Sequence, residues 1–426
     1  MIILCNAGGL GGGGNLTPFI VIFFNLTLIE SIPIGNFIGL ISSLSRFIIN
    51  YTQRHPKQPE RLAIDYDIIE LSMPIMYLGT LFGVQIGTRL TEVQLATTFA
   101  CVLFFVSYKT TTKAISMIKE ENAKKKMKYL SYTDKNEYKE LLLPKSNRTS
   151  KQNSPIKDRE SDSALQKLSH QNDQNLSTVQ VQLFSDTPFE EHNQQQKNRQ
   201  MIEKQYQQVL KDQSQHFTLR RCLTFGLTLG FLMITSTLLN QRDDSQYYVS
   251  PMYGYASLLL FLIYAVFSTI KKAQYLQEMH SVKLQMGYKF DQNDLTYENY
   301  RVIFNIILLC HISGILGGVV GIAGGIILAP LFLQLGMLPV IVASTNQYLA
   351  LISTIAVSSQ YWYLGMMNWQ YCSVFGFLGI IGSYIGIKVV MKIVQKSGRQ
   401  SIMVVILAFV LFTSFILVPI RYLFLQ

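Results

Sequence analysis

Two glycine-rich stretches stand inside apolar sequence, where backbone amides can do chemistry that apolar side chains do not. The first runs Gly-Leu-Gly-Gly-Gly-Gly-Asn-Leu-Thr-Pro from Gly9 to Pro18, and the second Gly-Ile-Ala-Gly-Gly-Ile-Ile-Leu-Ala-Pro from Gly321 to Pro330. Glycine lowers helix stability and leaves its N–H uncovered, while proline removes a donor. Free N–H groups at a helix break, helped by the helix dipole, hold anions. The candidate anion ligands are therefore the amides of Gly11, Gly12, Gly13 and Gly14 and of Gly321, Gly324 and Gly325. Pro18 and Pro330 fix the chain beyond them. Close helix packing is the competing use of the same glycines.

Side chains that could complete such a site are Asn36, Ser42, Ser43, Thr345, Asn346 and Ser353. Arg46 lies well inside an apolar stretch, where a charge is expensive and points to function. It could attract an anion, or its head could snorkel to the interface. His311, ten residues before the second glycine motif, has the pKa range for relaying a coupling proton; a histidine satisfied by a neighbouring helix is the alternative. Glu30 and Glu70 fall near span ends and are expected to face the interface.

The elements around these residues repeat. Ile34–Ser43 (IGNFIGLISS) corresponds to Thr345–Thr354 (TNQYLALIST), and the pair Asp65-Tyr66 to Asn368-Trp369. Fourteen residues beyond Asp65 stands Gly79, followed by Gly83 and Gly87; fourteen beyond Asn368 stands Gly382, followed by Gly386. Small residues at every fourth position give a face for close packing in lipid. The same three features in the same order point to an internal duplication.

Apolar runs of spanning length are expected near 1–24, 32–53, 67–87, 94–118, 220–240, 251–271, 301–322, 338–363, 369–391 and 400–424, with 325–336 too short to cross alone. The expected fold is an all-α polytopic membrane protein of two repeats, inverted relative to one another, with Gly-rich broken or re-entrant helices. The domain divisions are a first repeat at 1–118, a polar segment at 119–218, two connecting helices and a basic loop at 219–300, and a second repeat at 301–426. A whole apolar helix, Val302–Val320, precedes the second motif, so the first copy reads as shortened.

The formal charge of +11 suits basic loops on the cytoplasmic side better than a nucleic-acid partner. Lys109, Lys113, Lys119 and Lys124–Lys126 on one flank and Arg220 and Arg221 on the other place 119–218 in the cytoplasm. The same count puts Lys271 and Lys272 inside. A re-entrant second motif keeps Lys388, Lys392, Lys396 and Arg399 inside as well. Most of 144–195 is expected to be disordered, with a short helix near 197–213. The five cysteines lie singly and read as packing residues. No spacing indicates a metal, a cofactor or an enzyme.

On the two glycine motifs and the small-residue helices after Asp65 and Asn368, the chain resembles the sulfite exporter TauE/SafE family of membrane transporters. The resemblance covers roughly 1–118 and 301–425. It implies a secondary transporter of a small anion, such as sulfite or an organosulfonate, working in a lipid bilayer without ATP. Two other classes stay open: an anion channel lined by the same breaks, and a non-transporting membrane protein whose polar segment is the working part. Substrate, coupling ion, membrane and oligomeric state are not given by the sequence.

Overall fold

The computed structural model describes residues 13–142, 189–240, 250–288, 290, 294–321, 325–399 and 401–424. Among them are twelve helices: α1 (Gly13–Phe23), α2 (Leu28–Ile49), α3 (Tyr66–Gly87), α4 (Glu92–Leu142), α5 (Phe189–Ser214), α6 (Leu219–Leu239), α7 (Pro251–Gln285), α8 (Tyr300–Val320), α9 (Gly325–Gln334), α10 (Pro339–Tyr363), α11 (Trp369–Ser397) and α12 (Ser401–Phe424). No strand occurs among the described residues; one isolated antiparallel bridge joins Arg54 and Leu62. Eight helices, α2–α4, α6–α8, α10 and α11, contain stretches long and apolar enough to cross a bilayer. The helical membrane fold expected from the apolar runs is therefore present.

The chain divides into two compact units, residues 1–123 with 208–426, and residues 124–207. In the second unit the described residues are helical, belonging to the end of α4 and the beginning of α5. The stretch 143–188, which holds most of the segment expected to be disordered, lies outside the described residues. The helix expected near 197–213 is part of α5, which begins at Phe189.

The helix starts are written in short polar residues. Thr27 and Glu30 form a reciprocal capping box on α2. Asp65 caps α3, its carboxylate accepting from the N–H groups of Asp67 and Ile68. Asn368 accepts from Gln370 and Tyr371 in the same way at the start of α11. The duplicated pairs Asp65-Tyr66 and Asn368-Trp369 are thus helix-start signals. The last turn of α8 ends on Gly321, whose φ of +69° is left-handed, a conformation that favours glycine.

α3 and α8 lie closest together, through the predicted small-residue face. A Cβ added to Gly318 would sit 2.6 Å from Val84 N, and one on Gly87 3.0 Å from Val319 O. Gly83 would collide with the backbone of Ile315, and Gly314 with that of Met76. Only glycine permits this approach. In α11, Gly376 and Gly379 approach α2, with an added Cβ on Gly379 lying 2.9 Å from Ser42 Oγ. Gly382 lines a cavity of about 540 Å³ with residues of α1 and α2.

α2 and α10 run antiparallel at the centre. The end of α2 meets the start of α10 through Asn50 and Gln347, and Phe37 in its first half packs on Trp369, just past the end of α10. α11 packs on α2, and α3 on α10. Two apolar clusters surround this pair, one around α3, α7, α8 and α10, the other around α1, α2, α4 and α12. The outer faces of α6, α7 and α11 expose Leu223, Leu227, Leu259, Ile263, Phe377 and Ile381. Apolar faces of this extent suit acyl chains.

Lys272 and Glu70 are both packed between helices. α7 continues past the expected end of its span, so Lys272 is a buried helix residue, its amine 3.0 Å from Asp67 Oδ1 and 2.7 Å from Glu70 Oε2. Glu70 also takes Arg221 Nε at 2.7 Å. It therefore faces α6 and α7. A buried carboxylate needs such partners because desolvation alone is costly.

Candidate functional site

The candidate residues fall on either side of the α2–α10 seam. On α2, Asn36 is 1% exposed, and its Nδ2 donates to Ile32 O at 3.0 Å. Gly321 of the second glycine motif closes against it: an added Cβ there would lie 3.0 Å from Asn36 Nδ2 and 2.9 Å from Ile32 Cγ2. The fold thus brings the second motif onto Asn36 of α2. Gly325 opens α9 as Gly13 opens α1, with Gly14 next to it. Pro18 and Pro330 do not lie beyond these helices but occupy the sixth position of each. There a proline withholds the N–H that would bond the carbonyl four residues earlier. Gly11, Gly12 and Gly324 lie outside the described residues.

Arg46 does not snorkel. It is 1% exposed on the last turn of α2. Its Nη2 donates to Ser43 Oγ at 3.1 Å and its Nε to Ser42 O at 3.4 Å. The guanidinium is held by its own helix, one turn inside Asn50.

On α10, Thr345 Oγ1 accepts the N–H of Asp65 at 2.9 Å and ties α10 to the start of α3, with its O–H still able to donate. Asn346 is 2% exposed. Among the described residues, buried polar atoms of the seam helices without a hydrogen-bond partner are Ser31 Oγ and Ser42 Oγ on α2, and Asn346 Oδ1, Gln347 Nε2, Ser353 Oγ, Ser358 Oγ and Gln360 Oε1 on α10. A buried polar group without a partner costs about 1–3 kcal/mol, so each marks a place where a partner would be stabilising. Ser42 and Ser353 hold equivalent places in the duplicated Leu-Ile-Ser. Their neighbours differ, since Ser43 accepts from Arg46 and Thr354 donates to Ala350 O.

Gln347 was not among the residues singled out from sequence. The repeat aligns it with Asn36, and that signal could have found it. Its Oε1 accepts from Asn50 Nδ2 at 3.1 Å, and its Nε2 hydrogens remain to donate. His311 is satisfied by a neighbouring helix, with Nδ1 3.0 Å from Ile75 O. Cys310 and Cys372 are buried, whereas Cys101 and Cys222 are exposed.

Outside the span of α3, Asp65 and Arg61 pair at 3.2 Å, and Arg61 also reaches Asp294 at 3.0 Å. Burial raises the Asp65 carboxyl above its ordinary range, with Arg61 opposing. His216 lies near the same end, its Nδ1 2.8 Å from Tyr66 Oη. Burial holds its imidazole below the ordinary pKa.

These features define a polytopic helical membrane protein with a polar seam between two antiparallel, sequence-related helices. The model of the family described as sulfite exporter TauE/SafE matches residues 209–413. Sulfite exporter TauE/SafE family protein 2 of Arabidopsis thaliana is 25% identical over 97% of this chain and 79% of its own length. Family protein 1 of the same plant is 23% identical over 97% of this chain and 80% of its own. Family protein 5 is 38% identical over a quarter of each chain. A TauE/SafE domain is thus recognised over residues 209–413, and relatives named for that family match over nearly the whole chain. The matches extend the resemblance over α6 and α7, outside the two repeats that first carried it. No solved structure matches.

Proposed function

We propose that this protein carries a small anion, sulfite or a related organosulfur anion, across a membrane by alternating access at the α2–α10 seam. The observation that carries this is the pair Ser42 and Ser353, buried, without partners, and equivalent in the duplication. Hydroxyl and amide hydrogens are what an oxyanion requires when it leaves water. Arg46 supplies positive charge at one end of the same seam. The amides that open α1 and α9, with Gly321 against Asn36, are further donors on this reading, and Thr345 and Asn346 frame its α10 side. The names of the relatives support sulfite as the first substrate to test.

Residues 1–118 and 301–426 would form the two repeats, with 219–300 supplying two connecting helices. The antiparallel course of α2 and α10 supports an inverted relation, the architecture of many secondary transporters. The basic flanks support a cytoplasmic position for 119–218.

The test is uptake of labelled sulfite into proteoliposomes, with and without a proton gradient. Saturable uptake, lost when Ser42→Ala and Ser353→Ala are combined, is expected. Flux that rises without saturating would indicate a pore. Saturable flux unchanged in the double variant would remove the seam from the path.

A further inference from the structure

The two ends of the seam are unlike. At the end where α2 begins, Leu26, Glu30 and Ile34 line a cavity of about 570 Å³ with residues 365–370. At the other end, where α2 stops and α10 starts, the seam is covered. Asn50 Nδ2 bonds Gln347 Oε1 at 3.1 Å, and Ser344 Oγ bonds Gln53 Oε1 at 3.1 Å. Over these contacts lies a cluster of rings. Phe47 packs edge-on against Tyr348 at 5.2 Å, and Tyr348 against Tyr66 at 5.3 Å. His216 closes the cluster, stacked on Tyr51 at 4.1 Å and bonded to Tyr66 Oη.

His216 belongs to neither repeat. It sits in a short strap made of the last two residues of α5 and the link to α6, and the strap is pinned by its backbone. Gln213 O accepts from Leu62 N at 3.2 Å, Ser214 O from Arg54 Nη1 at 3.3 Å, and Gln215 O from Arg221 Nη1 at 2.6 Å. These are mostly bonds to side chains and loop backbone, the class of contact that opens locally before a packed helix does. Gln347 and Asn346, next to Tyr348 along α10, each keep one buried polar atom without a partner, Nε2 and Oδ1.

We propose that the strap Gln213–Phe217 is a gate over this end of the seam, with His216 as its contact residue and the state seen here closed. Swinging the strap away uncovers Tyr51, Tyr66 and Tyr348 and opens a route from the face that carries residues 119–218. The closed strap and the cavity at the opposite end are the two features alternating access requires of one state. What passes the gate rests on the function proposed above; the gate itself does not.

The experiment uses full-length protein in sealed vesicles, with the native cysteines replaced and Ser353→Cys as reporter. A membrane-impermeant thiol reagent is applied to the face on which a protease cleaves the 119–218 segment. Slow labelling is expected in this parent, about tenfold faster labelling with His216→Ala, and slow labelling again with His216→Phe, which keeps the ring contacts. Equal rates in parent and His216→Ala would overturn the gate. Should His216→Ala fail to fold, Tyr51→Cys and Phe217→Cys, whose rings stack at 6.4 Å, can be joined by a reductant-cleavable bifunctional thiol reagent. Joining them should stop reporter labelling from that face, and reductant should restore it; labelling that persists through the join would overturn the proposal. Gated labelling without sulfite flux would keep the gate and remove sulfite as substrate.

Discussion

At the scale of single residues, the α2–α10 seam owes its character to buried polar groups. Arg46 is a charged one. Hydrogen bonds to charged groups contribute about 1.5–3 kcal/mol, so Arg46→Gln should lower apparent affinity for sulfite roughly 10- to 100-fold. Arg46→Lys should recover part of it, read from the concentration dependence of uptake. A second residue-scale prediction concerns His216, whose imidazole is held below its ordinary pKa of 6.5 by burial. The unfolded chain therefore takes up this proton first as pH falls. The folded state loses stability from 6.5 downward, until pH passes the lowered value of the folded histidine. Thermal midpoints of wild type and His216→Phe should diverge in their pH dependence in that window and run parallel above it. Parallel slopes throughout would remove His216 as an acid-sensitive contact.

At the scale of helices, the α3–α8 contact depends on absent side chains. In lipid the driving force between helices is close packing, since acyl chains are as apolar as leucine. Gly83→Leu should destabilise by about 3 kcal/mol or more, because the new side chain meets the Ile315 backbone, which has no rotamer to yield. Gly226→Leu on α6 is the control, since nothing lies within 4 Å of a Cβ added there. The measurement is the temperature at which each detergent-purified variant stops eluting as a single species. The order of the two variants, and not only the size of the loss, decides the point. The helix boundaries were readable because Asp65 and Asn368 announce their helices chemically. The length of α7 was not readable, because Lys272 looks like a loop residue until Asp67 and Glu70 are seen beside it.

At the scale of the membrane-embedded unit, α3, α6 and α7 are joined by charges as well as by packing. Lys272 lies between Asp67 and Glu70, and Arg221 holds Glu70 from the other side. Removing one member of a buried set leaves its partners desolvated and uncompensated. Lys272→Met should therefore cost about 3 kcal/mol, the lower part of the range for a broken buried pair, and lower the thermal midpoint of the whole protein. Adding Asp67→Asn to Lys272→Met should return much of that loss. No recovery in the double variant would show that the lysine acts through packing and not through charge.

Periodicity and duplication by themselves determined the helical membrane class, the order of the helices, the small-residue face of α3 and the residues flanking the seam. These are local properties: a run of apolar residues has no other way to satisfy its backbone in lipid, and a repeated motif is visible without knowing where it folds. Tertiary structure alone decided which polar groups keep spare bonding capacity. Thr345, His311 and Ser353 look alike in the sequence, yet Thr345 Oγ1 already accepts from Asp65 N–H and His311 Nδ1 lies against Ile75 O, while Ser353 Oγ has no partner. It also decided that Gly376 and Gly379 meet α2, and that His216 packs on Tyr51 and Tyr66 at one end of the seam. Burial and hydrogen-bond partnership are sums over neighbours from distant parts of the chain, and no local pattern encodes them.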